Sequence, residues 1–121
     1  MYTLSVERMI SAAHKLNDYP GPCARIHGHN WKIRLEVHSR HLDDQGIAID
    51  FGELDQLLWK VVGPFDHQLM NDVKPFDRQN PTAENLVKYI YDQIKAMIPA
   101  NISMQRVTVW ETDQYKVAYE E

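Results

Sequence analysis

Cysteine is almost missing from this sequence, and long apolar runs are missing altogether. Cys23 is the single cysteine, so no disulfide framework can form within the chain, which fits a reducing compartment. Charged residues interrupt the first residues after Met1, so we expect no signal peptide. No apolar stretch approaches the roughly 18 residues of a transmembrane helix. We therefore expect a cytoplasmic protein that does not span a membrane.

An excess of positive charge is also missing. The chain has 13 Lys and Arg against 17 Asp and Glu, which gives a formal net charge of −4. A protein that binds nucleic acid through a broad basic surface is therefore not expected. A small anion site built from a few local Lys and Arg residues remains compatible with this charge.

The length and composition fit one folded domain. A chain of 121 residues is long enough to build one core but too short for two. Its apolar content of 44% and charged content of 25% are ordinary for a globular protein. We find no internal repeat, low-complexity tract or linker, so we expect a single domain over residues 1–121.

Hydrophobic periodicity predicts the element order strand, strand, helix, helix, strand, strand. The predicted strands are Thr3–Ala13, His29–Ser39, Ile102–Glu111 and Lys116–Tyr119, with a short extended piece at Ile47–Ile49. The predicted helices run from about Phe51 to Val62, after a capping Asp50, and from near Asn80–Thr82 to Pro99. The fold class is therefore α+β, an antiparallel sheet with two helices on one side. The open edges of so small a sheet favour association of several copies.

A His-Gly-His motif is the strongest chemical signal. Side chains alternate along a strand, so His27 and His29 point to one face, and Trp31 and Ile33 continue that face. Imidazoles at the end of an apolar stripe need partners. His14, at the end of the first predicted strand, adds a third imidazole, and three imidazoles with an open position are typical of catalytic zinc. The alternative is a set of ordinary hydrogen-bonded histidines.

Four further residues carry possible chemistry. Cys23 lies in a loop just before the His-Gly-His motif, where a cation favours the thiolate; it is a fourth ligand, a base, a nucleophile or a free loop cysteine. Asp66 beside His67 suits proton transfer, although adjacent residues need not touch. Glu111 ends an apolar strand face and could accept two N–H donors from a planar heterocycle, unless it turns to solvent.

The order of these motifs along nearly the whole chain resembles that of one known family. The segments that carry the resemblance are Ser11-Ala12-Ala13-His14, Cys23 with His27-Gly28-His29-Asn30, Asp50-Phe51-Gly52-Glu53-Leu54, Asp66-His67-Gln68-Leu69 with Asn71, Pro81-Thr82-Ala83-Glu84-Asn85-Leu86, and Val109-Trp110-Glu111-Thr112. Together they resemble the 6-pyruvoyl-tetrahydropterin synthase / 6-carboxy-tetrahydropterin synthase family. The short Cys-x-x-x-His-Gly-His spacing is similar to bacterial 6-carboxy-tetrahydropterin synthases of the queuosine pathway; the pyruvoyl branch has a longer gap, and a third branch has Glu in place of the cysteine.

The resemblance implies a fold, an assembly and a reaction. The fold would be the T-fold, in which subunits pool their sheets into a barrel, usually a homohexamer of two trimers with active sites between subunits. The activity would be that of a zinc lyase that converts 7,8-dihydroneopterin triphosphate into 6-carboxy-5,6,7,8-tetrahydropterin, acetaldehyde and triphosphate.

The resemblance also implies roles for individual residues. His14, His27 and His29 would bind Zn²⁺. Cys23, as thiolate, and His67, with Asp66, would transfer protons. Glu111 would bind the pterin, with Thr82 and Thr112 as helpers. Lys15 and Arg25 lie near the motif, but no argument assigns either to the triphosphate. Two alternatives remain: a pyruvoyl-type synthase with the same ligands, and a zinc-stabilised binding module closed by Cys23 and the three histidines.

Overall fold

The element order of the computed structural model, which describes all of residues 1–121, is the predicted one. Its strands are β1 (Tyr2–His14), β2 (His27–Ser39), β3 (Ser103–Trp110) and β4 (Lys116–Tyr119), and its helices are α1 (Phe51–Val62) and α2 (Ala83–Lys95). Single turns of 3-10 helix occur at Pro22–Ala24, Gly63–Phe65 and Met70–Asp72.

The four strands form one sheet in the order β1-β2-β3-β4, and all neighbours are antiparallel. β1 and β2 make a long hairpin that pairs Tyr2 with Ser39 at one end and His14 with His27 at the other. The hairpin register therefore brings two of the three candidate ligands directly opposite each other.

One face of the sheet packs against both helices. On β2 the side chains of Trp31, Ile33 and Leu35 are fully buried, and they share one hydrophobic core with the inner faces of α1 and α2. The intervening residues of β2, such as Lys32 and Arg34, lie on the other face and are half-buried. The predicted antiparallel sheet with two helices on one face is confirmed.

The helix starts follow their capping residues. The Asp50 carboxylate accepts hydrogen bonds from the backbone N–H of Gly52 and Glu53, so α1 begins at Phe51 as predicted. The Thr82 hydroxyl accepts from the N–H of Asn85 and caps α2 in the same way.

The predicted extension of α2 to Pro99 is wrong, because the helix ends at Lys95. The N–H groups of Met97 and Ile98 both donate to the carbonyl of Ile94, which tightens the chain after the helix. A residue before proline is disfavoured in the helical region, so the helix must end ahead of Pro99. Met97 and Ile98 still pack against the core, which explains why their periodicity looked helical.

Two smaller predictions also need correction. β2 begins at His27, two residues earlier than expected, because its pairing with β1 continues to His14. Ile47–Ile49 is a bend and not an extended piece. The Asp43 carboxylate there accepts from the N–H of Gln45 and Ile47, which satisfies the backbone locally without a strand partner.

Arg8 is the one charged residue on the inner face of β1. Its guanidinium donates two hydrogen bonds of 2.7 Å to the Asp55 carboxylate on α1 and lies 4.7 Å from the centre of the Trp59 ring. Arg8 interrupts the apolar pattern of β1 because it pairs with Asp55 on helix α1.

The outer edge of β1 is half covered by its own chain. Ala13 N–H donates to the Gln68 carbonyl at 3.0 Å, and His67 N–H donates to the Ser11 carbonyl at 2.6 Å. The first half of β1 and the outer edge of β4 pair with no strand of this chain. Neither helix has the length and apolar character needed to cross a bilayer.

Candidate metal centre and substrate site

Three imidazoles meet at one end of the sheet. His14 and His27 face each other across the β1–β2 pair, and His29 lies two residues further along β2 on the same face. The ring centres are 4.5 Å apart for His14 and His27, 5.3 Å for His14 and His29, and 5.0 Å for His27 and His29. Strand parity and register together bring the predicted ligands into one cluster.

Backbone carbonyls orient two of these rings. His14 Nδ1 lies 2.7 Å from the Pro81 carbonyl, and His27 Nδ1 lies 2.7 Å from the Arg25 carbonyl. A carbonyl oxygen only accepts, so each Nδ1 carries the hydrogen and each Nε2 keeps a free lone pair. This is the arrangement in which a histidine binds a metal through Nε2.

Glu111 completes the cluster. It follows the last residue of β3, and its Oε1 lies 3.3 Å from His29 Nε2. Ligand-type atoms of His14, His27, His29 and Glu111 all lie within 4.8 Å of one another. The prediction that Glu111 turns into the site and not to solvent agrees with this geometry.

These residues fit a metal ion. The Nε2 atoms of His14 and His29 are buried and make no hydrogen bond, since Glu111 Oε1, although 3.3 Å from His29 Nε2, is not aligned for one; this is costly unless something else binds them. The ligand-type nitrogens of the three imidazoles lie within 4.8 Å of one another, so one ion could be shared between them. Nitrogen and carboxylate donors are the kind that zinc takes in proteins.

Burial lowers the pKa of two of the imidazoles. Removal from water lowers the pKa of His14 and His29 below the ordinary histidine value, and proximity to His27 lowers it further. The Glu111 carboxylate acts in the opposite direction on the pKa of both rings, and the Pro81 carbonyl does so for His14. Both rings are therefore neutral at neutral pH, the form that binds a metal.

Trp31 forms the inner wall of the cluster. Its side chain is fully buried, and its ring lies 5.0 Å from His14 and 5.3 Å from His29, edge-on to both. The indole N–H donates to the Ala12 carbonyl at 3.2 Å. A large side chain with a satisfied donor behind the two imidazoles restricts their rotation.

Cys23 is not part of the converging group. It lies half-buried in the 3-10 turn Pro22–Ala24, and its carbonyl accepts from the N–H of Leu16, which joins this loop to the chain just after His14. The fourth converging side chain is Glu111 and not Cys23. The geometry therefore does not favour a site closed by Cys23 and three histidines.

Asp66 and His67 lie at the outer edge of β1. Asp66 Oδ1 accepts from the Ser11 N–H at 2.9 Å, and its Oδ2 lies 3.8 Å from His67 Nε2. His67 adopts a left-handed backbone with φ of 58°, and its side chain is 80% exposed. It borders a cavity of about 430 Å³ that Gly28, His29 and Asn30 also line. Within one chain, His67 lies outside the His/Glu cluster.

Thr82 and Thr112 both have local structural roles. The Thr82 hydroxyl caps α2, and the Thr112 hydroxyl accepts from the N–H of Gln114 and Tyr115 in the turn before β4. Each hydroxyl can still donate one hydrogen bond.

Pro81 and Asn71 are contributors that sequence reasoning about side-chain chemistry missed. Pro81 acts through its backbone carbonyl on His14. The Asn71 amide bonds both the N–H and the carbonyl of Lys15, each at 3.0 Å, and fixes the chain next to His14. Both residues belong to motifs that support the family resemblance. Their hydrogen-bond partners, His14 and Lys15, could not be predicted from residue types alone.

Comparison with known proteins identifies the family of this chain. Residues 3–121 match the family described as 6-pyruvoyl tetrahydropterin synthase. The chain belongs to this family. A 6-carboxy-5,6,7,8-tetrahydropterin synthase of Bacillus subtilis is 35% identical over 102 residues, which are 80% of this chain and 68% of that protein. The human 6-pyruvoyl tetrahydrobiopterin synthase is 30% identical over 118 residues, 96% of this chain and 77% of that protein.

The fold agrees as well. The structure of 6-pyruvoyl tetrahydropterin synthase from Caenorhabditis elegans superposes with a TM-score of 0.83 at 25% identity and covers 100% of this chain and 97% of that one. The sheet and its two helices are thus a T-fold. Tetrahydropterin synthases are lyases, so this chain is an enzyme of the lyase class.

Proposed function

We propose that this enzyme converts 7,8-dihydroneopterin triphosphate and one water into 6-carboxy-5,6,7,8-tetrahydropterin, acetaldehyde and triphosphate, a step of queuosine and other 7-deazapurine biosynthesis. The observation that carries the proposal is the cluster of His14, His27, His29 and Glu111. Two of these histidines belong to the short Cys-x-x-x-His-Gly-His segment that begins at Cys23. The similarity to a Bacillus subtilis protein of that name supports it. One catalytic domain over residues 1–121 carries the activity.

His14, His27 and His29 would hold Zn²⁺, with the Nε2 atoms of His14 and His29 buried and without a hydrogen bond. When bound, zinc supplies a Lewis acid that polarises the hydroxyl groups of the substrate side chain. The Pro81 and Arg25 carbonyls keep two of the rings in the required tautomer. Trp31 excludes water from the inner side of the site.

Glu111 binds the pterin. Its carboxylate accepts two N–H donors from the planar, guanidine-like edge of the ring, which a charged and only half-exposed acceptor does strongly. Because Glu111 lies beside His29, the ring bound there has its side chain next to the imidazoles. Thr82 and Thr112 supply the remaining hydroxyl donors near this position.

Cys23 and His67 move protons on the substrate side chain. Cys23 Sγ, as thiolate, takes the proton from the side-chain carbon next to the ring, and that carbon becomes a ketone as its two electrons reduce the dihydropterin to the tetrahydro level. One water adds to the ketone, the bond to the second side-chain carbon breaks, and its electron pair expels triphosphate, which leaves the enol of acetaldehyde and the 6-carboxy group. His67 Nε2, with Asp66 fixed on the Ser11 N–H, is the partner acid and base.

The assembly we propose is a homohexamer of two trimers with active sites between subunits. Two observations support it: the unpaired edges of β1 and β4, which can join copies into a continuous sheet, and the exposed His67, which its own chain does not place in the cluster. His67 of one subunit would then act in the site of the next.

Product analysis tests the reaction. Zinc-loaded protein is incubated with 7,8-dihydroneopterin triphosphate, the pterins are identified by mass spectrometry, and acetaldehyde is trapped as its hydrazone. We expect 6-carboxy-tetrahydropterin and acetaldehyde in equal amounts, with triphosphate. Cys23→Ala is the matched control, since it should keep zinc and lose turnover.

A pyruvoyl-type synthase is the second candidate, because the human protein of that kind aligns with 96% of this chain. Release of triphosphate with 6-pyruvoyl-tetrahydropterin and no acetaldehyde would establish it. A fully zinc-loaded protein that consumes no substrate would instead indicate a binding module.

A further inference from the structure

The carbonyl that orients His14 comes from a distant part of the chain. Pro81 is 67 residues away, is buried, and lies just before the start of α2. His27, by contrast, takes its carbonyl from Arg25, only two residues away. The orientation of His14 therefore depends on how the turn before α2 is held.

Asn85 holds this turn on both sides of Pro81. Its side-chain Nδ2 donates to the Asn80 carbonyl at 2.8 Å, and its backbone N–H donates to the Thr82 hydroxyl at 3.1 Å. Thr82 N–H also donates to the Asn80 carbonyl, at 2.9 Å. Pro81 has no N–H of its own, so its peptide groups are anchored only through these neighbours.

The same turn is tied to the chain that carries His14. The Asn80 side chain accepts from the N–H of Asn17 at 2.9 Å, three residues beyond His14. The network thus connects the start of α2 with the end of β1 at two points, one through Asn17 and one through the imidazole of His14 itself.

We propose that Asn85 is a positioning residue of the metal site, an inference that rests on the proposed zinc function. By holding the Asn80–Thr82 turn, Asn85 keeps the Pro81 carbonyl 2.7 Å from His14 Nδ1. This contact selects the tautomer with hydrogen on Nδ1 and leaves Nε2 free toward His27 and His29. Without the Nδ2 donor the carbonyl moves, and the tautomer with hydrogen on Nε2, which cannot bind a metal there, becomes populated.

Two variants separate this role from simple helix stability. Asn85→Asp keeps the side-chain shape and the backbone donor to Thr82, and a carboxylate in the first turn favours the helix, but it cannot donate to the Asn80 carbonyl. Asn85→Ala removes the donor and raises helix propensity. Asn101→Ala, at an exposed turn position after α2, is the matched control.

The test uses the full chain in its metal-free form. Long-range ¹H–¹⁵N correlation spectra report which nitrogen of His14 carries hydrogen, and competition with a chelator gives the Kd for zinc. We expect hydrogen on Nδ1 in the wild type and in Asn101→Ala. Both Asn85 variants should show a mixture of tautomers and about tenfold weaker zinc binding, at the lower end of the effect of outer contacts on metal affinity.

Three results would overturn the proposal. The first is that both Asn85 variants keep hydrogen on His14 Nδ1 and a zinc Kd within twofold of the wild-type value. The second is hydrogen on His14 Nε2 in the wild-type protein, and the third is an equal loss of zinc affinity in Asn101→Ala. The tautomer measurement needs neither zinc nor substrate. It therefore decides the role of Asn85 even if the proposed reaction fails.

Discussion

At the scale of single residues, the three histidines of the cluster differ in what their ring nitrogens contact. His14 and His27 both point Nδ1 at a carbonyl, while His29 has a carboxylate near its Nε2. The buried and unpartnered Nε2 atoms of His14 and His29 then face a shared space. A polar group left in this way destabilises the metal-free protein, and a bound cation removes that cost.

The first prediction concerns zinc content. His27→Ala and His29→Ala should each lose most bound zinc in metal analysis, because two imidazoles do not hold the ion as tightly as three. His41→Ala, at an exposed histidine in the loop after β2, should keep about one zinc per chain. Stoichiometric zinc in both His27 and His29 variants would disprove the ligand assignment.

The second prediction concerns acid stability of the metal-free protein. The folded pKa of His14 and His29 is lower than the ordinary value of 6.5, so the unfolded chain binds protons more readily. Well above pH 6.5 both states are neutral at these positions and stability does not depend on their protonation. As pH falls through 6.5, the unfolded state gains protons first and the free energy of unfolding decreases.

Thermal unfolding between pH 7.5 and 5.5 measures this effect. The double variant His14→Gln/His29→Gln should show a smaller decrease of Tm over this range than the wild type, whereas His41→Gln should match the wild type. An equal decrease in the double variant would show that other groups cause the acid dependence.

The third prediction concerns the pterin anchor. Glu111→Gln keeps the shape of the side chain but removes its charge and one acceptor oxygen. Hydrogen bonds to a charged group contribute roughly 1.5–3 kcal/mol, so binding of a pterin product analogue should weaken by roughly 10- to 100-fold in calorimetry. Zinc content should stay near that of the wild type. Unchanged affinity would remove Glu111 from the pterin site.

At the scale of elements, the contact of β1 with α1 explains a charge on an otherwise apolar strand face. Arg8 and Asp55 are each about one third exposed, at 36% and 34%, and the two hydrogen bonds between them are short and parallel. The Arg8 guanidinium also covers the Trp59 ring. The paired geometry makes this contact stronger than an ordinary surface ion pair.

The fourth prediction follows from this contact. A double-mutant cycle of Arg8→Met and Asp55→Ala, read by urea unfolding, should give a coupling of roughly 1 kcal/mol. Arg34 and Glu7, an ion pair on the uncovered face of the sheet, provide a matched cycle with a smaller expected coupling. Equal couplings would show that the helix contact adds nothing beyond a surface pair.

At the scale of the whole molecule, one chain does not bring Cys23 and His67, the residues proposed to move protons, into the His/Glu cluster. The His/Glu cluster lies on the helix-covered side of the sheet end, whereas His67 projects from the edge of β1 into solvent. Joining the free edges of β1 and β4 in an oligomer would place His67 against another copy.

The fifth prediction tests shared sites by mixing inactive variants. Cys23→Ala and His67→Ala should each be nearly inactive alone. If each site takes Cys23 from one subunit and His67 from its neighbour, equal random mixing after dissociation and reassembly should restore about one quarter of the sites. Mixing Cys23→Ala with a Cys23→Ala/His67→Ala double variant is the control and should restore none. No recovery in the first mixture would place both residues in one subunit.

Much of the fold could be predicted from the sequence, because it depends on periodicity and on local hydrogen bonds. Alternation along β2 placed His27 and His29 on the same face as Trp31, and Asp50 marked the start of α1. The end of α2 was predicted too late, since Met97 and Ile98 are apolar and pack on the core although their backbone is no longer helical. The spacing of apolar side chains shows which residues are buried. It does not show where the helical hydrogen bonds end, which depends on backbone constraints such as Pro99.

The sequence by itself determined the residue types, their strand parity and the family motifs, and these suffice to name the candidate ligands. Only the tertiary structure decided which groups meet: the Pro81 carbonyl on His14, the Glu111 carboxylate on His29, and Asp55 on Arg8. The alternation of side chains along a strand and the capping of a helix depend on residues that are close in sequence, so both can be predicted from the sequence. Contacts across 47 or 67 residues depend on strand register and helix packing, and those are fixed by the burial of the whole core at once.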